Sequence, residues 1–100
     1  MFDPDVPGLS DPSEGYVHWI SEVTITSEGQ ITIGHQYQTY DPPTPPPGTG
    51  NHRYQFFLFK AAQGTLTGAD SRRFDFCTFM EANNLEKPIA SFQFLYGKKS

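Results

Sequence analysis

The sequence holds a single cysteine, Cys77, in 100 residues. No disulfide can close within the chain, so it carries no sign of a stapled secreted module, and one thiol cannot build a zinc site. Cys77 lies between Phe76 and Phe79 in a predicted helix, where a buried and inert thiol is the default expectation. Basic residues are also few. Seven Lys and Arg stand against eleven Asp and Glu, a formal net charge of -4. That balance speaks against bulk attraction to nucleic acid or to an anionic membrane surface. The two basic pairs, Arg72-Arg73 and Lys98-Lys99, read as solvated surface. The start, Met1-Phe2-Asp3-Pro4-Asp5, has no basic or apolar leader, and no apolar run nears the length needed to span a bilayer. The expectation is one soluble intracellular domain over residues 1–100, with no transmembrane segment and no direct nucleic-acid partner.

Catalytic signatures are missing too. There is no G-x-S-x-G elbow and no G-x-x-x-x-G-K-[ST] phosphate loop, and His18, His35 and His52 lack zincin spacing. No catalytic residue, metal ligand or cofactor is therefore expected. The polar residues point to a binding site instead.

What the chain does have is a stiff proline segment, Tyr40-Asp41-Pro42-Pro43-Thr44-Pro45-Pro46-Pro47-Gly48-Thr49-Gly50-Asn51, which runs into His52-Arg53-Tyr54 and the apolar Phe56-Phe57-Leu58-Phe59. Prolines hold a segment extended, and glycines allow a tight turn or close approach to a ligand. An exposed PxxP ligand is the plainer alternative. Direct entry into a buried strand argues for a tied-down loop at the rim of a site.

Around this segment the chain reads as strand-rich. Residues Asp3 to Gly15 are turn-rich. Tyr16 to Ile25 reads as one strand, with Val17, Trp19, Ser21, Val23 and Ile25 on one face. Ser27-Glu28-Gly29-Gln30 is a turn, and Ile31-Thr32-Ile33 starts a second strand towards Tyr40, a hairpin being one way to join them. Arg53 to Lys60 reads as a strand covered on both faces. Ala61 to Asp70 reads as a loop. From about Ser71 the period turns helical through Phe76, Phe79, Met80 and Asn83, with Asp75 or Ser71 as cap and an end near Asn83-Asn84. Ile89 to Tyr96 is a final strand, followed by a frayed Gly97 to Ser100. The sum is a mostly-β fold with one short late helix.

Three polar clusters stand out. Asp3 and Asp5 share one side if Asp3-Pro4-Asp5-Val6-Pro7 is extended, or satisfy backbone donors if it turns. His18 sits beside Trp19. His52 and Tyr54 should face one way and Arg53 the other, which gives Arg53 the structural task of holding Asp3 or Asp5.

Taken in order, Asp3-Pro4-Asp5-Val6-Pro7, Val17-His18-Trp19-Ile20, Pro45-Pro46-Pro47-Gly48-Thr49-Gly50-Asn51-His52-Arg53-Tyr54 and Arg73-Phe74-Asp75-Phe76 resemble the signature blocks of the phosphatidylethanolamine-binding proteins. That family includes Raf-kinase-inhibitor-like proteins and plant flowering regulators. The resemblance implies a large antiparallel sheet, a second small sheet and a small anion pocket. It implies ligand contacts from Asp3, Tyr16, His18, His52 and Tyr54, with Pro46, Gly48 and Gly50 in the wall and Asp5 and Arg53 as structural supports. Compared with the family pattern the chain looks truncated at both ends, lacking N-terminal strands and a C-terminal helix. The implied function is non-enzymatic binding of phosphate or phospholipid head groups. The alternative is a protein-interaction role, with a kinase-type partner or as a subunit of a complex. Self-association through exposed strand edges is a further expectation. The compartment implied is cytoplasmic, with mitochondrial as the alternative.

Overall fold

A computed structural model describes residues 1–8, 14–60 and 65–98. The fold is mostly β with one short helix. Strands β1 (Phe2–Asp3), β2 (Glu14–Val17), β5 (His52–Leu58), β6 (Arg73–Asp75) and β7 (Ala90–Tyr96) form one sheet in the order β6-β2-β1-β5-β7. Every pairing in it is antiparallel. Strands β3 (Ile20–Ile25) and β4 (Ile31–Gln38) form a separate two-stranded sheet. Its turn is closed by Thr26 N–H donating to Gln30 O at 2.9 Å and Gly29 N–H to Thr26 O at 2.9 Å. The hairpin that the turn signal allowed is thus present.

The stretch read as one strand from Tyr16 to Ile25 is two strands in two sheets. The break falls at His18 and Trp19, where the amides abandon the ladder. His18 N–H and Trp19 N–H both donate to Met1 O, at 2.8 and 3.3 Å, while His18 O accepts from Asp41 N at 2.8 Å. Val17 and His18 are consequently buried in succession, which simple alternation forbids. Arg72, expected as solvated surface, is half-buried at this break. Its guanidinium donates to Val17 O at 3.0 Å, His18 O at 3.3 Å and Thr39 O at 2.9 Å, satisfying carbonyls that leave the sheet.

The helix α1 (Phe76–Ala82) starts later than the period change suggested, because Arg73–Asp75 pairs with β2 as a strand first. Asp75 caps it through a 3.0 Å bond from Thr78 N–H, and Asn84 takes φ 52 just beyond its end. Phe79 is the helix's buried residue, whereas Cys77 is exposed rather than buried. Cys77 lies two positions from Phe79, roughly half a turn at 3.6 residues per turn, so it faces outward when Phe79 faces inward. Strand β5 is also not covered on both faces. His52 and Tyr54 are buried, but Phe56 to Phe59 are half-buried. A groove of about 530 Å³, lined by Phe2, Val17, Trp19, Phe57, Phe76 and Phe79 among others, keeps that part of the strand open. Among the described residues, no helix is long and apolar enough to cross a membrane. Parts of three sequence-based expectations lie outside the described residues: positions 9–13 of the early turn segment, 61–64 of the later loop and 99–100 at the end.

Phe2 anchors the centre. Its ring packs 5.1 Å from that of Phe76 and 6.2 Å from that of Phe74, and Gly15 lies against it. A Cβ at Gly15 would collide with the Phe2 ring and come within 2.6 Å of Asp3 O. Gly15→Ala should therefore destabilise the fold by about 1–3 kcal/mol, as overpacking does. In urea denaturation this appears as a lower midpoint at unchanged slope. An unaltered midpoint would show that β1 can move away freely.

Candidate functional site

The site is assembled by register. Phe2 pairs with Val17 on one side and Gln55 on the other, and Asp3 pairs with Tyr16. Asp3 therefore lies level with the start of β5. Its Oδ2 accepts from His52 Nδ1–H at 2.7 Å, across 49 positions of sequence. Both residues are buried, with 3% of Asp3 and 0% of His52 exposed. Asp3 Oδ1 accepts from Asp5 N–H at 2.8 Å, closing a turn. That turn sends the two carboxylates to opposite sides of β5, so they do not share a side as an extended segment would. Asp5 meets Arg53 instead, accepting from its Nε at 2.9 Å, its terminal nitrogen at 2.8 Å and its backbone N–H at 2.8 Å. The Arg53 guanidinium holds the Asp5 carboxyl below its ordinary pKa.

Tyr54 is the hub. Its ring stands edge-on to His18 with centroids 5.4 Å apart, and it stacks near His52 at 6.3 Å and Phe94 at 5.3 Å. It is 0% exposed, and its hydroxyl is the one buried side-chain polar atom without a hydrogen-bond partner among the described residues. Burial, then the negative charge of Asp3, pushes the phenol up to about 12. The hydroxyl is therefore a proton donor at any physiological pH.

His18 is reached from the other side. Its Nδ1–H donates to Asp41 O at 2.7 Å, which leaves Nε2 as the ring nitrogen able to meet a ligand. Burial is the largest influence on this imidazole and lowers its pKa below the ordinary 6.5; the Asp41 contacts oppose it. The Tyr16 hydroxyl donates to Asp41 Oδ2 at 2.9 Å, and its ring lies 4.7 Å from that of His18. Burial raises the Tyr16 pKa, with help from Asp41.

Pro46, Gly48 and Gly50 shape the loop that carries Thr49. Gly48 and Gly50 adopt φ 79 and 80, a backbone region that favours glycine. The Thr49 hydroxyl donates to Pro46 O at 2.7 Å and lies 2.8 Å from His52 Nε2. Asp3, His52 and Thr49 thus stand in the carboxylate–imidazole–hydroxyl order of a hydrolytic triad. The Thr49 proton, however, is directed to Pro46 O, so its oxygen takes a hydrogen bond from Nε2 only when that nitrogen carries a proton, which with Nδ1–H on Asp3 means a doubly protonated ring. The arrangement tethers the Gly-Thr-Gly turn to the buried ring. Among the described residues, no group of three or more His, Cys, Asp or Glu could hold a metal ion.

The structure thus brings Asp3, Tyr16, His18, His52 and Tyr54 together, and separates Asp5 and Arg53 from them. Sequence reading missed Asp41 and Thr49. Both flank the proline run, and the only signal was their position at its two ends.

A family model described as phosphatidylethanolamine-binding protein matches residues 1–94. CEN-like protein 4 of Nicotiana tabacum is 39% identical over 95 residues, covering 91% of this chain and 53% of that protein. Protein SELF-PRUNING of Solanum lycopersicum is 37% identical over 98 residues, 94% of this chain and 54% of that protein. Protein FLOWERING LOCUS T of Arabidopsis thaliana is 35% identical over 94 residues, 91% of this chain and 52% of that protein. The chain spans about half the length of the curated relatives it matches. No solved structure matches it.

An unpartnered buried hydroxyl costs about 1–3 kcal/mol of desolvation. Tyr54→Phe removes it without changing the ring, so thermal denaturation of the ligand-free protein should show stability unchanged or raised by up to about 1 kcal/mol. A clear loss of stability would reveal a hydrogen bond that this geometry lacks.

Proposed function

The chain belongs to the phosphatidylethanolamine-binding protein family, and on that premise we propose that it binds phosphate-bearing groups, phospholipid head groups among them, around Tyr54 without catalysing a reaction. One observation carries the reading: the Tyr54 hydroxyl is fully buried, donor-competent and unpartnered. Native proteins rarely leave such a group orphaned. A phosphate oxygen is a strong acceptor that would complete it. His18 Nε2, on the same ring cluster, becomes a second donor once the imidazole is protonated. The setting taken for this reading is cytoplasmic.

Binding an anion favours the protonated imidazole, so affinity should rise as pH falls. A window between pH 8 and 6 follows from an ordinary histidine; burial of His18 carries it lower, below 6.5. The same shift acts on folding with the opposite sign. Below pH 6.5 the unfolded chain takes up the proton before the folded one, so stability declines as pH falls towards the depressed folded value. Glycerophosphoethanolamine, a phosphodiester whose phosphate does not titrate in this range, separates the protein's proton from the ligand's. Calorimetric titration at pH 7.5 and 5.5 should show tighter binding at the lower pH, by at most about tenfold per pH unit for one linked proton. His18→Ala should weaken binding and flatten the pH dependence. Equal affinity at both pH values, or binding indifferent to both His18→Ala and Tyr54→Phe, argues against the pocket.

A second reading is an interaction module, with a kinase-type partner, a larger complex or a second copy bound through an open edge. It is favoured by β7, the outer strand of the large sheet, where Phe92 is 64% and Leu95 60% exposed. The relatives named SELF-PRUNING and FLOWERING LOCUS T also suggest regulation rather than chemistry. Unpaired edges of this kind recruit further strands. Sedimentation should then show concentration-dependent association that Phe92→Lys abolishes. A monomer at every concentration removes self-association through β7.

A further inference from the structure

We propose that Thr49 is a built-in competitor for the ligand at His52: its hydroxyl occupies Nε2 until a phosphate oxygen displaces it. The inference rests on the phosphate-binding reading above and adds what regulates access to the same site.

Both nitrogens of the fully buried His52 ring are engaged within the protein. Nδ1–H is held by Asp3 at 2.7 Å and Nε2 by Thr49 at 2.8 Å. A ligand can therefore reach His52 only by replacing one of these partners. Asp3 is the harder to replace, because it is buried, charged, and tied to the Asp5 amide at 2.8 Å. His52 itself is fixed in β5 by pairing with Tyr96.

Thr49 is the weaker partner. It is exposed, and it sits on a turn between two glycines of positive φ. The backbone bonds holding that turn are long: Gly48 N–H to Lys98 O and Thr49 N–H to Pro46 O are both 3.3 Å. Its hydroxyl proton already has an acceptor in Pro46 O at 2.7 Å. Losing the imidazole thus strands no donor on Thr49. Once Nε2 carries a proton, a neutral hydroxyl oxygen is also a weaker acceptor for it than an anionic phosphate oxygen. The exchange runs in the ligand's favour, while Thr49 keeps the buried ring satisfied when the site is empty. Thr49 is therefore a positioning residue that sets affinity through His52.

Thr49→Val keeps the shape and deletes the competing oxygen, whereas Thr49→Ser keeps the oxygen. Calorimetry with glycerophosphoethanolamine should show Thr49→Val binding about two- to tenfold tighter than wild type. Thr49→Ser should match wild type. In ligand-free protein, nitrogen-15 spectra of the His52 ring should show Nε2 changed in Thr49→Val and unchanged in Thr49→Ser. A merely structural Thr49 would give weaker binding in Thr49→Val. Equal or weaker binding in that variant, with wild type still binding, overturns the competitor alone. If neither protein binds, the phosphate reading fails and the competitor with it.

Discussion

The buried hydrogen bond between Asp3 and His52 is the constraint on which the rest of this molecule turns. It joins the first strand to the fifth across 49 residues at 2.7 Å. A charged or polar pair is tolerated in an interior only when each member satisfies the other, and removing one member of a buried ion pair typically costs about 3–5 kcal/mol. The bond therefore fixes the register of β1 against β5. That register sets Tyr54 level with Asp3 and places the tyrosine ring between two histidines. The same bond fixes the direction of the His52 ring, and through it the position of the Gly-Thr-Gly turn. One contact thus determines both the floor of the site and the lip of its loop.

Asp3, His52 and Thr49 share the residue order of a hydrolytic triad, but the hydroxyl proton is directed to the Pro46 carbonyl. In a hydrolytic triad the hydroxyl gives its proton to the imidazole. Here Thr49 gives its proton to Pro46 O, and the ring has no nitrogen in reserve. Arg53, the residue nearest in sequence to both histidine and tyrosine, is drawn to the far side of the strand by Asp5. What remains facing the interior is the Tyr54 hydroxyl, a donor, and His18 Nε2, which accepts while the imidazole is neutral and donates once it is protonated.

Much of the fold was legible in the sequence wherever local rules decide. The turn at Ser27 to Gln30, the cap at Asp75, the helix end at Asn83-Asn84 and the final aromatic strand all follow from residues within a few positions of one another. The opposed facing of Arg53 and Tyr54 follows from strand alternation alone. The break at His18-Trp19 was invisible, because Val17 to Ile20 looks like continuous strand and only Met1, at the far end of the chain, diverts its amides. Arg72 was misread for the same reason: its partners are carbonyls that exist only because of that break. The parting of Asp3 and Asp5 depends on a turn of two aspartates around one proline, Pro4, whose outcome the pattern leaves open. Asp41 and Thr49 were missed because each acts on a residue whose position is settled elsewhere.

Phe2 and Asp3 are neighbours on a two-residue strand, yet they serve opposite sides of the sheet. Phe2 belongs to the aromatic cluster and the open groove, while Asp3 belongs to the histidines. With so little strand between them, neither side can shift without carrying the other. Filling the groove would tilt the carboxylate, and a guest seated against the imidazoles would press back on the phenyl ring. The shortest of the described strands thus joins a polar arm to an oily one.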